Sequence, residues 1–154
     1  VRVRFGDITD QEVSRRGLEL TEKNERFVRE FLRKEHGMAA YAELNQPGID
    51  SALEQSNVVV DGLYSWEEYI SLKARYGKDF LALAVWASPA TRYSRLVGRS
   101  SRKLTAEEAV SRDWAEIENI NKGGPIAMAD FTIINESSLS DFRKTVESII
   151  SRLK

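Results

Sequence analysis

The chain has 154 residues, of which 42% are hydrophobic and 31% charged, and its net charge is −1. This length predicts one globular domain over residues 1–154, and the near-neutral charge argues against a general affinity for nucleic acids or acidic membranes. With no Cys and a single His, His36, the sequence argues against disulfides, thiolate metal sites, Ser-His-Asp triads and multi-His zinc sites. The longest apolar run, residues 80–87, is too short to span a bilayer. No signal peptide is visible, so we expect a cytoplasmic protein.

Strand and helix patterns alternate along the chain, which is typical of an α/β domain with a mainly parallel sheet and flanking helices. The expected elements are, in chain order, a strand at 1–6, helices at 8–16 and 22–35, a mostly helical stretch at 38–55, a strand at 58–61, a helix at 66–76, a strand at 80–86, a helix from 89, a basic connector at 98–103, a helix at 106–121, a loop at 122–125, a strand at 131–134 and a helix ending at 153.

Side chains that cap helices precede most of the predicted helices. Capping-box spacing predicts helix starts after Ser65 and Thr105, and Pro89 suits the first position of a helix. The remaining expected N-caps are Asp7, Thr21, Ser88 and either Ser138 or Ser140. Pro47-Gly48 predicts a break or a fresh start within the stretch at 38–55.

Two strands are continuously apolar and should be buried on both faces. Val58, Val59 and Val60 do not alternate, and neither does the run from Phe80 to Trp86, so both suit the middle of a parallel sheet. We also expect two amphipathic helices to bury apolar faces. Those faces are Phe27, Val28, Phe31 and Leu32 on one helix, and Leu139, Phe142, Val146, Ile149, Ile150 and Leu153 on the last.

Four ordered stretches give the chain a family resemblance. They are Phe5-Gly6-Asp7, Val58 to Gly62, Ser88-Pro89-Ala90-Thr91-Arg92 through Arg99, and Ala129 to Asn135. Together they resemble the P-loop nucleotide kinases of the adenylate kinase and dephospho-CoA kinase group. The resemblance covers nearly the whole chain, although no single stretch is diagnostic.

The phosphate-binding loop of that family is missing from the sequence. The only Gly-Lys pair, Gly77-Lys78, is followed by Asp79 and lacks the upstream glycine of the G-x-x-x-x-G-K-[ST] pattern. In the family, that loop belongs to a strand-loop-helix unit of roughly 30 residues, whose strand lies between those matching Val58–Asp61 and Leu81–Trp86. We expect the chain to be either a truncated kinase or a natural degenerate member. The non-Met first residue favours truncation, and the chain alone should be inactive or nearly so.

The resemblance implies an ATP-dependent phosphotransferase acting on a nucleotide or related small molecule, with ATP and Mg²⁺ as cofactors. Asp61 resembles the acid that orients Mg²⁺ through water. The lid arginines of the family are matched by Arg92, Arg95, Arg99, Arg102 and Arg112, of which Arg99 and Arg112 are the expected catalytic residues of a small lid at about 99–112. Implied substrate-binding residues are Asp7, Arg15, Arg16, Arg92 and Arg95, and implied cofactor contacts are Gly123, Gly124 and Asn135.

Plainer interpretations stay open for each of these residues. Asp61-Gly62 could be a simple turn, Asp7 a simple cap, and Gly123-Gly124 an ordinary connection. Arg92, Arg95 and Arg99 recur at i, i+3 and i+7, so they should share a helix face, which could be solvated and paired with Glu107, Glu108 and Glu116.

Two other functions also remain open. The chain could be a non-catalytic nucleotide-binding module whose sheet is completed by a partner or by a homo-oligomer. The basic stretch from Arg92 to Lys103 could bind nucleic acid, but the near-neutral charge and the lack of interleaved aromatics argue against it.

Overall fold

The computed structural model describes residues 1–153 and has an α/β architecture, which confirms the predicted fold class. The strands are β1 (Arg2–Arg4), β2 (Val59–Asp61), β3 (Leu83–Trp86) and β4 (Phe131–Ile134). The helices are α1 (Gly6–Arg15), α2 (Glu22–His36), α3 (Ala40–Leu53), α4 (Trp66–Tyr76), α5 (Pro89–Val97), α6 (Ala106–Ile120), α7 (Gly123–Ala127) and α8 (Leu139–Arg152).

The four strands form two separate parallel pairs instead of one sheet. β1 pairs with β2, with Arg2 opposite Val59, and β3 pairs with β4, with Leu83 opposite Phe131. The expected parallel arrangement is present, but within residues 1–153 no strand lies between β2 and β3. All four strands therefore keep one open edge, where backbone N–H and C=O groups face no partner strand.

The hydrophobic core lies against the first sheet. Phe5, directly after β1, is 1% exposed and belongs to a core cluster with residues of α1, α2, α3 and the middle of α4. The other buried members are Val13, Val28, Leu32, Ala40, Tyr41, Ala42, Ile49 and Leu72. This core fixes α1, α2 and α3 around the end of β1, which is where a large cavity opens.

Most of the predicted helix starts are confirmed by side-chain caps. Thr21, Ser88 and Ser138 each accept a hydrogen bond from a backbone N–H in the following turn. Ser65 and Thr105 form complete capping boxes with a glutamate three residues on. The local sequence alone specifies these helix starts, because each cap satisfies N–H groups that have no partner in the helix.

Two predicted helix boundaries are wrong. Asp7 is not an N-cap, because α1 already begins at Gly6, after Phe5; instead, the Asp7 carboxylate pairs with Arg4. Pro47 does not break α3, which runs through it. Packing accounts for the continuous helix, since Tyr41 before the proline and Ile49 after it both lie in the core.

The two strands that were expected to be buried on both faces are exposed. Val59 in β2 is 67% exposed, and Leu83 and Val85 in β3 are 46% and 52% exposed. Their sequences suit an interior position, but β2 and β3 are each paired on one edge only. The apolar pattern of β2 and β3 therefore suits strands with a neighbour on both edges, whereas each has one neighbour within residues 1–153.

Three further expectations are corrected. Phe27 on α2, and Leu139, Ile150 and Leu153 at the last helix, are exposed, because those helices bury a narrower face than the apolar pattern suggested. The expected loop at 122–125 includes the start of α7, whose Pro125 lies in the first turn, where a proline is tolerated. Arg99 lies beyond the end of α5, so it cannot share a helix face with Arg92 and Arg95.

None of the helices described within residues 1–153 is both long enough and apolar enough to cross a membrane.

Candidate functional site

A cavity of about 500 Å³ opens where β1 and β2 end, between α1, α2 and the connector that precedes α6. Its floor includes Phe5, Tyr41 and Tyr64, and its walls are strongly charged. Seven cationic side chains line it: Arg4, Arg29, Arg33, Arg99, Arg102, Lys103 and Arg112. Five carboxylates line it as well: Asp10, Glu22, Glu25, Asp61 and Glu108. Formal charge therefore favours an anionic occupant.

Asp61 lies at the mouth of this cavity because it is the last residue of β2. Its backbone C=O accepts a hydrogen bond from the Phe5 N–H at 2.9 Å, which ties the two strand ends together. Gly62 follows with φ 109°, a conformation that side chains disfavour, and a Cβ there would meet Phe5 at 3.4 Å. The turn therefore requires glycine, and it leaves the carboxylate of Asp61 half-exposed and paired with Arg2.

Arg4 is held between two carboxylates of α1. Its Nη1 donates to Asp7 at 2.6 Å and to Asp10 at 2.8 Å. The hydrogen bonds to Asp10 and Asp7 raise the pKa of the Arg4 guanidinium above its ordinary value. Arg4 is therefore a fixed cation in the cavity wall, since α1 starts directly after β1 and carries both acids.

The opposite wall is an ion-pair cluster between α2 and α6. Arg112 donates to Glu116 at 2.9 Å and lies 3.6 Å from Glu22, which also pairs with Arg29. Burial works against the charge of Arg112, but the attraction of Glu116 and Glu22 outweighs it and raises the pKa.

Glu116 shows the mirror effect. Burial opposes its charge, yet Lys122 and Arg112 lower the pKa of the carboxyl. The cluster thus stays fully charged near neutral pH and holds Arg112 in place beside the cavity.

Arg33 and Tyr41 form the deepest polar part of the cavity. The Arg33 guanidinium pairs with the buried Glu68 at 3.2 Å and lies over the Tyr41 ring, 4.8 Å from its centre. The Nε of Arg33 is buried without a hydrogen-bond partner among the described residues. Tyr41 shares a 2.6 Å hydrogen bond with Thr9, and burial raises the pKa of its hydroxyl. Arg33 is therefore a firmly held cation with one unsatisfied buried donor.

The three residues expected to be catalytic come together at this cavity. Asp61, Arg99 and Arg112 all line it, although they lie far apart in sequence. Arg112 is engaged by carboxylates, whereas Arg99 pairs with no acid in the part of the chain that the structure describes. The structure does not test their chemical roles.

The residues expected to bind the substrate lie outside the cavity. Asp7 pairs with Arg4 behind its wall, and Arg15 and Arg16 both donate to Glu12. These bonds to Arg15 and Arg16 lower the pKa of Glu12 to about 2. The substrate-binding role of Asp7, Arg15 and Arg16 stays a prediction, while their observed contacts are local to α1 and its strand.

Arg92 and Arg95 lie on the far side of α5. Arg92 pairs with Asp113 of α6 and donates to the Ala87 C=O, and Arg95 donates to the Asn135 C=O at 2.8 Å. Both therefore tie α5 to its neighbours, and their expected partners Glu107, Glu108 and Glu116 are not the ones they contact.

The expected cofactor contacts Gly123, Gly124 and Asn135 do not line the cavity either. A Cβ on Gly124 would come within 2.7 Å of the Trp66 indole, so helix packing already explains this glycine. Gly123 has open space around it, and the Asn135 backbone bonds to Trp86 and Arg95.

Several cavity residues have no role in the sequence-based assignment: Arg4, Asp10, Glu22, Glu25, Arg29, Arg33 and Tyr41. A signal for part of this set is present on α2, where Glu22, Glu25 and Arg29 recur at i, i+3 and i+7 and so share one face. No local pattern indicates that Asp10 and Arg102 meet, because they are 92 positions apart.

The described side chains do not form a complete metal site, so a bound metal ion would need further oxygen atoms from water or a bound phosphate. Among residues 1–153 there is no group of three or more His, Cys, Asp or Glu side chains placed to hold a metal ion. Mg²⁺ commonly takes only one or two protein carboxylates and completes its shell with water and phosphate oxygens. The half-exposed Asp61 fits that role, since its present partner, Arg2, is an exposed and readily exchanged cation.

Comparison with known proteins gives a consistent family. The chain is 38% identical over 151 residues to the UPF0200 protein of Hyperthermus butylicus, covering 97% of this chain and 79% of the relative. It is 36% identical over 155 residues to the UPF0200 protein of Thermococcus gammatolerans, covering 98% and 81%. A UPF0200/UPF0201 protein of Archaeoglobus fulgidus is 35% identical over 152 residues, which is 97% of this chain and 47% of the relative.

No family model matches the chain. The pairwise similarities nevertheless extend over 97% and 98% of the chain. The chain therefore belongs to the UPF0200 family.

Proposed function

We propose that the chain is a nucleotide-kinase-like protein that transfers a phosphoryl group from ATP to a nucleotide or related small molecule once a phosphate-binding loop is supplied upstream of Val1. Its finer family would then be the P-loop nucleotide kinases. The observation that carries this proposal is the position of Asp61, at the carboxyl end of a parallel strand and at the mouth of a cation-lined cavity. Ligands of open parallel sheets bind at that end of the strands.

The charge of the cavity supports phosphoryl chemistry. The transferring group spreads negative charge over its oxygens, and an enzyme accelerates the step mainly by positioning and charge neutralisation. Arg112 suits this work, because Glu116 and Glu22 hold its guanidinium in a fixed place. Arg99 suits a mobile contact, because its side chain has no acidic partner among the described residues and lies on an exposed connector.

The open edges of the two sheets support the idea of a missing unit. β2 and β3 are both parallel to their neighbours and both apolar, yet they are not paired with each other. One parallel strand between them would pair both edges and join the two sheets. A loop following such a strand would emerge beside Asp61, at the same end of the sheet.

The cofactors fit this chain in part. ATP bound with Mg²⁺ supplies the phosphoryl group and a cation that neutralises its charge. Asp61 would orient the ion, while Arg99 and Arg112 would hold phosphate oxygens. The expected adenine contact at Gly124 does not fit, because the Trp66 indole already occupies the space beside that glycine.

The test is a phosphoryl-transfer assay with ATP, Mg²⁺ and a panel of nucleoside monophosphates and dephosphorylated cofactors. Three proteins are compared: residues 1–154 alone, the same chain with the residues its gene encodes before Val1, and that longer chain carrying Asp61→Asn. We expect transfer by the longer wild-type chain only, with Asp61→Asn reducing it by about 10²-fold or more, the scale of one lost electrostatic contact. Equal rates for Asp61→Asn and wild type, or no transfer to any acceptor, would remove the kinase proposal.

A second candidate is a non-catalytic module that binds a nucleotide or is completed by a partner. The exposed apolar side chains of β2 and β3 favour it, because an open strand edge is a template for pairing with another chain. It predicts that residues 1–154 self-associate through the strand edges. Sedimentation analysis of wild type and of Val85→Lys separates the cases: dissociation by the lysine supports the module, and a wild-type monomer argues against self-completion.

A further inference from the structure

The connector between α5 and α6 crosses the rim of the cavity. Residues 98–103, here called the strap, are all exposed. Both ends of the strap are anchored, because the Gly98 N–H bonds to the Ser94 C=O and the buried Leu104 donates to the Leu96 C=O at 3.4 Å. Between these anchors the strap is free to move unless its side chains hold it.

Arg102 ties the strap to the opposite wall. Its Nη2 donates to Asp10 on α1 at 2.6 Å, and its Nε lies 3.8 Å from Glu25 on α2. Among residues 1–153, these are the ion pairs that join the strap to the rest of the molecule. Arg102 also has φ 50°, in the left-handed region, which is strained for a residue with a side chain. The ion pairs and the backbone strain therefore oppose each other at one residue.

Both acids keep another cation when Arg102 leaves. Asp10 also accepts from Arg4 at 2.8 Å, and Glu25 also pairs with Arg29 at 3.5 Å. Breaking a buried ion pair is expensive mainly because it leaves one charge without a partner. Opening the strap avoids this cost, because each carboxylate keeps its second cation. The guanidinium of Arg102 is partly exposed, so dissolved salt also weakens its hold.

We propose that the strap is a reversible latch over the cavity, closed by Arg102 on Asp10 and Glu25. Closure restricts access to the cavity, and opening relieves the left-handed strain at Arg102. Phosphate oxygens compete well for guanidinium groups, so an anionic ligand can take over Arg102 from the carboxylates. The latch regulates the same cavity to which the proposed function assigns its substrate, and in that respect it rests on the proposed function.

The absence of Cys from the sequence permits a clean test. Ser101→Cys, on the exposed strap, carries a single nitroxide label whose mobility is read by electron paramagnetic resonance. Arg102→Gly in this background removes both ion pairs and tolerates the φ of 50°. Because glycine also frees the backbone, Asp10→Asn combined with Glu25→Gln is measured beside it, removes the same ion pairs without changing the strap, and should mobilise the label as well. Arg99→Ala is the matched control, since it removes a strap arginine that pairs with no described acid.

We expect Arg102→Gly to shorten the rotational correlation time of the label by about twofold or more, a change on the nanosecond scale of loop motion. Arg99→Ala should leave it unchanged, and about 0.5 M KCl should move wild type toward Arg102→Gly by screening the pairs. Equal mobility in Arg102→Gly and Arg99→Ala, or a wild-type label that does not respond to salt, would overturn the latch. The measurement needs no turnover, so its failure is distinct from failure of the proposed kinase activity.

Discussion

The two sheets of the molecule have very different surroundings. The β1–β2 sheet adjoins the core around Phe5, which is 1% exposed, with helices α1, α2 and α3 packed on it. The β3–β4 sheet buries Ile133, but Leu83, Val85 and Ile134 remain exposed. Both sheets contain apolar strand residues, although Arg2, Arg4 and Asp61 make the first sheet the more charged of the two. The core packs against the first sheet, whereas most apolar side chains of the second sheet stay exposed.

This difference indicates which surface of the molecule is available to bind a further strand. Exposed apolar groups that lie together on strand edges mark interaction sites more reliably than isolated ones. The exposed residues of β3 face solvent beside an unpaired edge, and the edge of β2 is open as well. The β1–β2 sheet therefore adjoins a well-packed core and the cavity. The β3–β4 sheet presents exposed apolar side chains beside an edge that is suited to a further strand.

Truncating matched leucines in the two halves should give the largest contrast. Leu32→Ala removes a buried core side chain and should lower the free energy of unfolding by about 2–5 kcal/mol. Leu83→Ala removes a half-exposed side chain of β3 and should cost less than about 1 kcal/mol. Urea titration of both variants measures the difference. Similar losses would show that β3 is as well packed as the first core.

The contact between α4 and α7 links the two halves and is the next target. Gly124→Ala places a methyl group 2.7 Å from the Trp66 indole, and this overpacking should cost about 1–3 kcal/mol. Gly123→Ala is the matched control, because it adds the same methyl group to open space. Thermal unfolding followed by circular dichroism compares the pair. If Gly124→Ala is as stable as wild type, packing against Trp66 does not require glycine at this position, and a ligand-binding role for Gly124 is again open.

The two capping boxes give a smaller contrast. Ser65 is fully buried and also donates to the Met38 C=O, whereas Thr105 caps an exposed helix start. Ser65→Ala should cost about 1–2 kcal/mol and Thr105→Ala about 0.5–1 kcal/mol. Urea titration again measures both. The reverse order would mean that α6 is more important to the fold than its exposure suggests.

The smallest expected effect is the pH dependence of the α2–α6 cluster. The folded-state pKa of Glu116 is lowered from 4.5 by Lys122 and Arg112 against the effect of burial. Its contribution to stability is therefore complete above about pH 4.5 and is lost as the pH falls through the folded pKa. Glu116→Gln should flatten the fall of the melting temperature below that pH, relative to wild type. An unchanged acid profile would show that Glu116 is not the group that titrates.

Elements with local determinants were predictable from the sequence, and those with non-local determinants were not. The capping boxes at Ser65 and Thr105 placed two helices correctly, because the cap and its partner are three residues apart. The break expected at Pro47 did not occur, because the packing of Tyr41 and Ile49 outweighs the local preference of the proline.

The same distinction holds for the site. Asp61 was identifiable as a strand-end acid, since strand and acid are adjacent in sequence. The meeting of Arg102 with Asp10 depends on tertiary folding over 92 positions and leaves no local pattern. The burial of β2 and β3 was overestimated because an apolar run records the environment a strand suits, and not whether neighbouring strands are present.

Hydrogen exchange of the β2 and β3 backbone amides tests the central claim most directly, namely that these two edges receive one further parallel strand beside Asp61. Exchange is compared between residues 1–154 and the chain with the residues its gene encodes before Val1. The account predicts strong additional protection in both β2 and β3, with little change in α1 or α2. Unchanged exchange at these strands, or the lack of any encoded segment able to form such a strand, would contradict it.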